Sequence, residues 1–438
     1  MLTRRALLAA APAFAAKARL QIATFEADVT PPKGAPLCYS LVIPVERIES
    51  PLKAKGVVLY PSGQRPIVLC SVDWLGIGGK SHLDWRMRIA LAVGTTPDRV
   101  AVQTVHQHDA PGDDMGAFAL LPKTGGAEIL SPAQFCREAV EGVASKAREA
   151  KPVEVTHWAF GQSKVDRIAC NRRILSPDGK TFLFQRFTSC KNSPYCDAPE
   201  GVIDPLARTV SFYKGDERVA SLHYYATHPM SYYGKGVVNP DFVGIARESL
   251  PGFNVYFTGA AGNIGAGKYN DGAPENRARL AERLAAGMKA ALASEKKIAA
   301  GRIDWRSVEV SLPERSGADF SESSIRKILG DPKAADKDVA SASRYLAWHQ
   351  NPKTILQALR LEGGSILHMP GELFVEYQLA AQKENKVPIA LAAYGDYAPM
   401  YIGTKIAYSE GGYETSLVSR VGEGTEDILR GAMRNLLT

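Results

Sequence analysis

Val100-Ala101-Val102-Gln103-Thr104-Val105-His106-Gln107-His108 is an apolar run of strand character that ends in His-x-His. In an extended backbone residues two apart point the same way, so both imidazoles can look into one cleft. A strand that delivers two histidines to its carboxyl end suits a metal site.

Two further runs end in the same manner. Arg218-Val219-Ala220-Ser221-Leu222-His223-Tyr224-Tyr225-Ala226 leads into Thr227-His228-Pro229, and Ser365-Ile366-Leu367-His368-Met369 leads into Pro370-Gly371-Glu372. The segment after Glu372, from Leu373 to Ala381, has helical periodicity, which puts the carboxylate in a strand-to-helix turn. Ligands of open α/β sheets bind outside the carboxyl ends of strands, so the three residues can converge. Two imidazoles and a carboxylate suit zinc and leave a fourth position for water or a phenolate.

Strands are expected at 67–72, 100–105, 153–159, 219–225, 255–257, 365–368 and 389–393, and helices after Pro132, Pro274 and Gly371. Neither repeats nor low-complexity tracts interrupt this alternation. The expected fold is α/β, a mixed sheet with flanking helices in a single large catalytic domain over 20–438, because candidate site residues are spread over most of the chain. A more polar stretch, 313–352, reads as a helical insertion or lid that shapes substrate access.

The 438 residues are 45% hydrophobic and 23% charged, ordinary globular usage. The formal charge of +7 falls by two if Arg4 and Arg5 leave with an export signal. Without a basic run or aromatic-basic interleaving, no nucleic-acid partner is expected. Thr3-Arg4-Arg5, the apolar run from Ala6 to Ala16 and the small-residue site Ala13-Phe14-Ala15 read as a cleaved signal peptide over 1–15, of the twin-arginine type, with a periplasmic or secreted destination. No other run reaches the length of a membrane span.

Six cysteines in an exported chain invite disulfides. Cys190 and Cys196 are the best pair, closing a Pro-containing loop. Cys70 and Cys136 fall on apolar stripes and read as packed thiols, while Cys38 and Cys170 are left unassigned.

The ordered set of short motifs resembles the neutral/alkaline non-lysosomal ceramidases and their smaller bacterial relatives. The matching segments are residues 23–32, His106-Gln107-His108-Asp109-Ala110-Pro111, Thr227-His228-Pro229, Gly259-Ala260-Ala261-Gly262-Asn263, Pro370-Gly371-Glu372, and Tyr401 through Tyr413. The resemblance implies one zinc ion per chain held by His106, His228, Glu372 and Tyr401. It further implies that His108 and Tyr413 act in catalysis or support it, and that Arg172, in Asn171-Arg172, holds the substrate carbonyl or its oxyanion. The implied activity is hydrolysis of an N-acyl amine by metal-activated water, on a small or lipid-like substrate, with room for peripheral membrane contact.

The chain departs from the family pattern in two places. The loop from Gly265 to Asn276 contains no serine where ceramidases place one often assigned as nucleophile, and Thr438 comes too soon for a C-terminal β-sandwich. Direct attack by metal-activated water is therefore expected, and long-chain ceramide is in doubt as the substrate. Two other functional readings stand beside this one: a metal-dependent amidohydrolase barrel, which also begins with His-x-His, and a non-catalytic exported binding protein.

Gly262-Asn263-Ile264-Gly265-Ala266-Gly267-Lys268-Tyr269 imitates a phosphate-binding loop but has Tyr269 where the magnesium-binding hydroxyl belongs, so it is read as a loop lining the cleft. Asp73 and Asp109 are candidates to orient the imidazoles. His82, His157 and His349 are read as structural.

Overall fold

The computed structural model describes residues 20–121, 129–179 and 181–438. The proposed signal, 1–15, lies outside them. Three open mixed sheets form the body. The first orders Val100–Thr104, Ile67–Val72, Lys53–Pro61, Leu20–Asp28 and Val153–Val155. The second orders Asn254–Thr258, Glu217–Tyr225, Leu206–Lys214, His157–Lys164 and Lys296–Ala299. The third orders Asp304–Ser311, Lys353–Leu361, Gly364–His368 and Ile389–Ala392.

Each sheet is antiparallel except at one edge, where the last strand, Val100–Thr104, Asn254–Thr258 or Ile389–Ala392, runs parallel to its neighbour. These three edges meet. The Thr104 N–H donates to the Tyr394 carbonyl (2.9 Å), the Ala393 N–H to the Thr258 carbonyl (2.9 Å), and the Thr258 hydroxyl to the Val105 carbonyl (2.7 Å). Edge groups that would otherwise lie buried and unpaired thus satisfy one another.

Apolar side chains from all three inner faces fill one shared core, among them Leu69 and Ala101, Leu222 and Phe257, and Ile366 and Ala392. Helices cover the outer faces. Gly79–Val93 and Ala133–Glu149 lie on the first sheet, Asp241–Glu248 and Glu275–Ala293 on the second, and Thr425–Leu437 on the third. Ile67–Val72 is buried along its whole length, Leu69 toward the shared core and Cys70 toward the helices. Burial on both faces explains the uninterrupted apolar runs.

The α/β expectation is met with three sheets rather than one. Residues 153–159 are not one strand: the chain leaves the first sheet after Val155 and joins the second at His157. A hydrophobic pattern registers burial but not which neighbour a strand pairs with, so this crossing is invisible in it. The helix expected after Gly371 begins only at Val375, because Glu372–Leu373 forms a short parallel pairing with Tyr401–Ile402. Among the described residues no sheet closes into a barrel, which removes the amidohydrolase reading.

Leu280, Leu284 and Met288 form the buried stripe expected of the helix after Pro274. Cys190 and Cys196 are bonded, and Cys38, Cys70, Cys136 and Cys170 are free and buried. The polar stretch 313–352 carries the helices Glu322–Gly330 and Asp336–His349, and the second of these buries Arg344, Tyr345, Leu346 and Trp348. No described helix is long and apolar enough to cross a membrane.

Asp73, at the end of Ile67–Val72, receives both terminal nitrogens of Arg247 at 2.7 and 2.9 Å, which ties the helix Asp241–Glu248 to the first sheet. Both side chains are fully buried. Replacing Arg247 by Met strands the carboxylate, and urea unfolding should register a loss of about 3–5 kcal/mol. An unfolding midpoint equal to wild type would show that the pair does not hold the two units together.

Candidate metal centre

His106, His228 and Glu372 reach one point from the carboxyl ends of one strand in each of the three sheets. His106 follows Val100–Thr104, His228 follows Glu217–Tyr225, and Glu372 follows Gly364–His368. The Nε2 atoms of His106 and His228 lie 3.2 and 3.0 Å from the same carboxylate oxygen of Glu372. Tyr401 arrives by strand register, directly opposite Glu372, and its hydroxyl is 3.5 Å from His228 Nε2.

Backbone carbonyls fix both rings. His106 Nδ1 donates to the Leu75 carbonyl (2.8 Å), and His228 Nδ1 lies 2.6 Å from the Ala261 carbonyl and 3.0 Å from that of Ile264. With the ring proton held on Nδ1, each Nε2 presents only a lone pair. Two lone pairs aimed at a carboxylate repel unless a cation lies among them, and His106 Nε2 is buried without a hydrogen-bond partner. The donor set therefore fits a divalent ion of zinc type.

Asp73 and Asp109 do not orient the imidazoles. Asp73 is committed to Arg247 and to the Lys53 N–H, and Asp109 to the Gly234 N–H and Arg277. The carbonyls serve instead and add no buried negative charge. The geometric argument for His-x-His also changes, since the strand stops at Thr104 and His106 is left-handed (φ 64°). The outcome survives: the rings of His106 and His108 lie 5.1 Å apart and perpendicular, and ring nitrogens of His106, His108 and His228 fall within 4.8 Å of one another, a group that could itself hold a metal.

Arg172 donates from Nη1 to the Tyr401 hydroxyl (3.0 Å), and its Nε lies 3.4 Å from Glu414. Its guanidinium carbon is 5.6 Å from the centre of the Tyr413 ring, which sits edge-on to both Tyr401 and Phe187. Exposure rises along this path, from 1% at Glu372 and 3% at Arg172 to 39% at Tyr413 and 48% at Phe187. Arg172 thus lies beneath the half-exposed aromatic pair Tyr413 and Phe187.

Burial pushes His108 well below its ordinary value and keeps it neutral. Burial likewise holds the Tyr401 phenol protonated, with Arg172 opposing.

Sequence reasoning missed several groups at the centre. Tyr397 donates to the second oxygen of Glu372 (2.7 Å), Tyr394 stacks on His106 with ring centres 4.4 Å apart, and Cys38 lies against His108. Tyr394 and Tyr397 follow Ile389–Ala392, so the strand-end rule applied to that strand would have found them. His82 bonds the Val102 carbonyl, His157 the Thr156 hydroxyl and His349 the Glu314 carboxylate, all away from the centre.

The imitation phosphate loop is a packing element. A Cβ on Gly262 would lie 2.2 Å from the Glu372 carbonyl oxygen and one on Gly267 2.0 Å from that of Phe187, while the Lys268 ammonium donates to the carbonyls of Asp197 and Ala198.

No family model matches the chain, and no curated protein matches it in sequence. Similar solved structures include two ceramidases. The neutral ceramidase from Pseudomonas aeruginosa superposes with a TM-score of 0.70 at 17% identity, covering 96% of this chain and 74% of the other. A ceramidase complexed with C2 gives 0.70 at 15% identity, covering 96% and 75%. The chain therefore has the fold of the neutral ceramidase structures.

Because Gly262 packs against the Glu372 backbone, Gly262→Ala should lower stability by about 1–3 kcal/mol through overpacking. Chemical denaturation checks this. A wild-type midpoint would mean that the Gly-rich loop moves freely and does not brace Glu372.

Proposed function

We propose that the chain is a zinc-dependent hydrolase that cleaves the amide of an N-acyl amine, with one ion held by His106, His228, Glu372 and Tyr401. The observation that carries the reading is the approach of two carbonyl-oriented Nε2 atoms to one carboxylate oxygen in a fully buried space. That arrangement is unfavourable without a cation and favourable with one. The shared ceramidase fold supports the amide class.

Zinc held there would supply a Lewis acid and bring the pKa of a water toward neutrality. The residues of the chain do the rest. Arg172, buried at the base of the opening, offers a fixed positive charge to the carbonyl oxygen as it gains negative charge. His108, neutral and with Nε2 unpartnered, serves as general acid/base or hydrogen-bonds the same oxygen. Tyr413 and Phe187 position an apolar acyl group at the half-exposed mouth. The net reaction consumes one water, breaks the C–N bond, and yields a carboxylate and an amine.

The grouping of His106, His108 and His228 favours a second ligand set in which His108 replaces Tyr401. Export through the twin-arginine route, with 20–438 as one catalytic domain, belongs to the same proposal. The Cys190–Cys196 bond supports an oxidising destination.

Plasma mass spectrometry of the purified protein should find about one zinc per chain, lost in His106→Ala and weakened in Tyr401→Phe but not in His108→Ala. Loss in His108→Ala with Tyr401→Phe unaffected would select the three-histidine set. Zinc-loaded wild type should hydrolyse members of a panel of N-acyl amides, and Arg172→Met should lower kcat/KM by roughly 100- to 1,000-fold. Absence of metal, or of hydrolysis across the panel, would overturn the proposal.

A further inference from the structure

Cys38, Tyr39 and Ser40 are three consecutive non-glycine residues in the left-handed region, with φ of 49°, 51° and 63°. L-residues enter that region singly and at a cost, and such strain persists where surrounding structure enforces it. Here the enforcement is dense. The Cys38 N–H donates to the Ala110 carbonyl, the Tyr39 hydroxyl to the Gly76 carbonyl and the Ser40 hydroxyl to the Ile129 carbonyl. Arg344 lies 3.5 Å over the Tyr39 ring, whose other neighbours are Gly112, where a Cβ would come within 2.2 Å, and the parallel ring of Tyr397.

This turn places the buried Cys38 sulfur 3.3 Å from His108 Nδ1. Sulfur accepts hydrogen bonds weakly, whereas a bare imidazole nitrogen accepts them well, so the favoured arrangement has the thiol donating. Burial keeps the thiol in its protonated form. The opposite arrangement would aim a third lone pair, on His108 Nε2, toward a centre already faced by His106 Nε2 and His228 Nε2.

We propose that Cys38 is a positioning residue: its S–H donates to His108 Nδ1, so that the ring carries its proton on Nε2 and His108 acts as a hydrogen-bond donor to the substrate's carbonyl oxygen. Of the two roles open to His108, proton transfer and oxyanion binding, the contact selects the second. The inference rests on the reading of His108 as a group that faces substrate, and it makes no use of His108 as a metal ligand.

Two-bond proton–nitrogen correlation spectra of ¹⁵N-histidine-labelled protein report which ring nitrogen holds the proton. Wild type and Cys38→Ser, which keeps a donor of similar size, should show the Nε2–H form at His108. Cys38→Ala should show the Nδ1–H form or a mixture. A proton on Nδ1 in the wild type, or an unchanged Nε2–H form in Cys38→Ala, overturns the inference. Should Cys38→Ala fail to fold, the wild-type spectrum still decides. On an N-acyl amide, Cys38→Ala should lose on the order of 10- to 100-fold in kcat with KM little changed, and Cys38→Ser should recover most of it. A wild type that hydrolyses no N-acyl amide but shows the Nε2–H form would sink the functional reading and leave the tautomer assignment standing.

Discussion

Everything at the centre depends on the way three sheet edges satisfy one another. A parallel edge strand carries unpaired backbone groups, and three such strands packed around one core cannot turn those groups to water. The bonds from Thr104 to Tyr394, from Ala393 to Thr258 and from Thr258 to Val105 resolve this. They also fix the geometry: His106 follows the edge strand Val100–Thr104, while His228 and Glu372 follow Glu217–Tyr225 and Gly364–His368, the strands paired in parallel with the other two edges.

Convergence has an electrostatic cost that defines the chemistry. Backbone carbonyls take the Nδ1 protons, so both imidazoles face the Glu372 carboxylate as acceptors. Acceptors gathered in a dry interior are poorly solvated and mutually repulsive. A cation converts that liability into an ordered set of ligands. Tyr397 occupies the other oxygen of Glu372 and Arg172 lies beyond Tyr401, so the carboxylate and phenol are each held from the far side.

The same region concentrates backbone strain. His106, Tyr394, Met400 and the turn Cys38–Ser40 are left-handed, at about 1–2 kcal/mol each. Each either contributes a side chain to the centre or adjoins one that does. The packing that offsets this strain comes from elements remote in sequence, including Arg344 on the helix Asp336–His349. That stretch therefore works as a buttress beneath Tyr39 and Tyr397.

The sequence by itself determined the α/β class, the buried strands, the stripe on the helix after Pro274, the Cys190–Cys196 pair, and the candidates His106, His228 and Glu372, because periodicity and strand-end position are local properties of the chain. It also singled out Tyr401 and Arg172 through an ordered resemblance. Only the tertiary structure decided that three sheets replace one, that Glu372 and Tyr401 face each other by register, that carbonyls rather than Asp73 and Asp109 orient the rings, and that Cys38 meets His108 across 70 residues. The physical reason is that hydrogen-bond pairing between edges and turns joins segments far apart in the chain. A side-chain pattern records which face is buried, and leaves open what it is buried against.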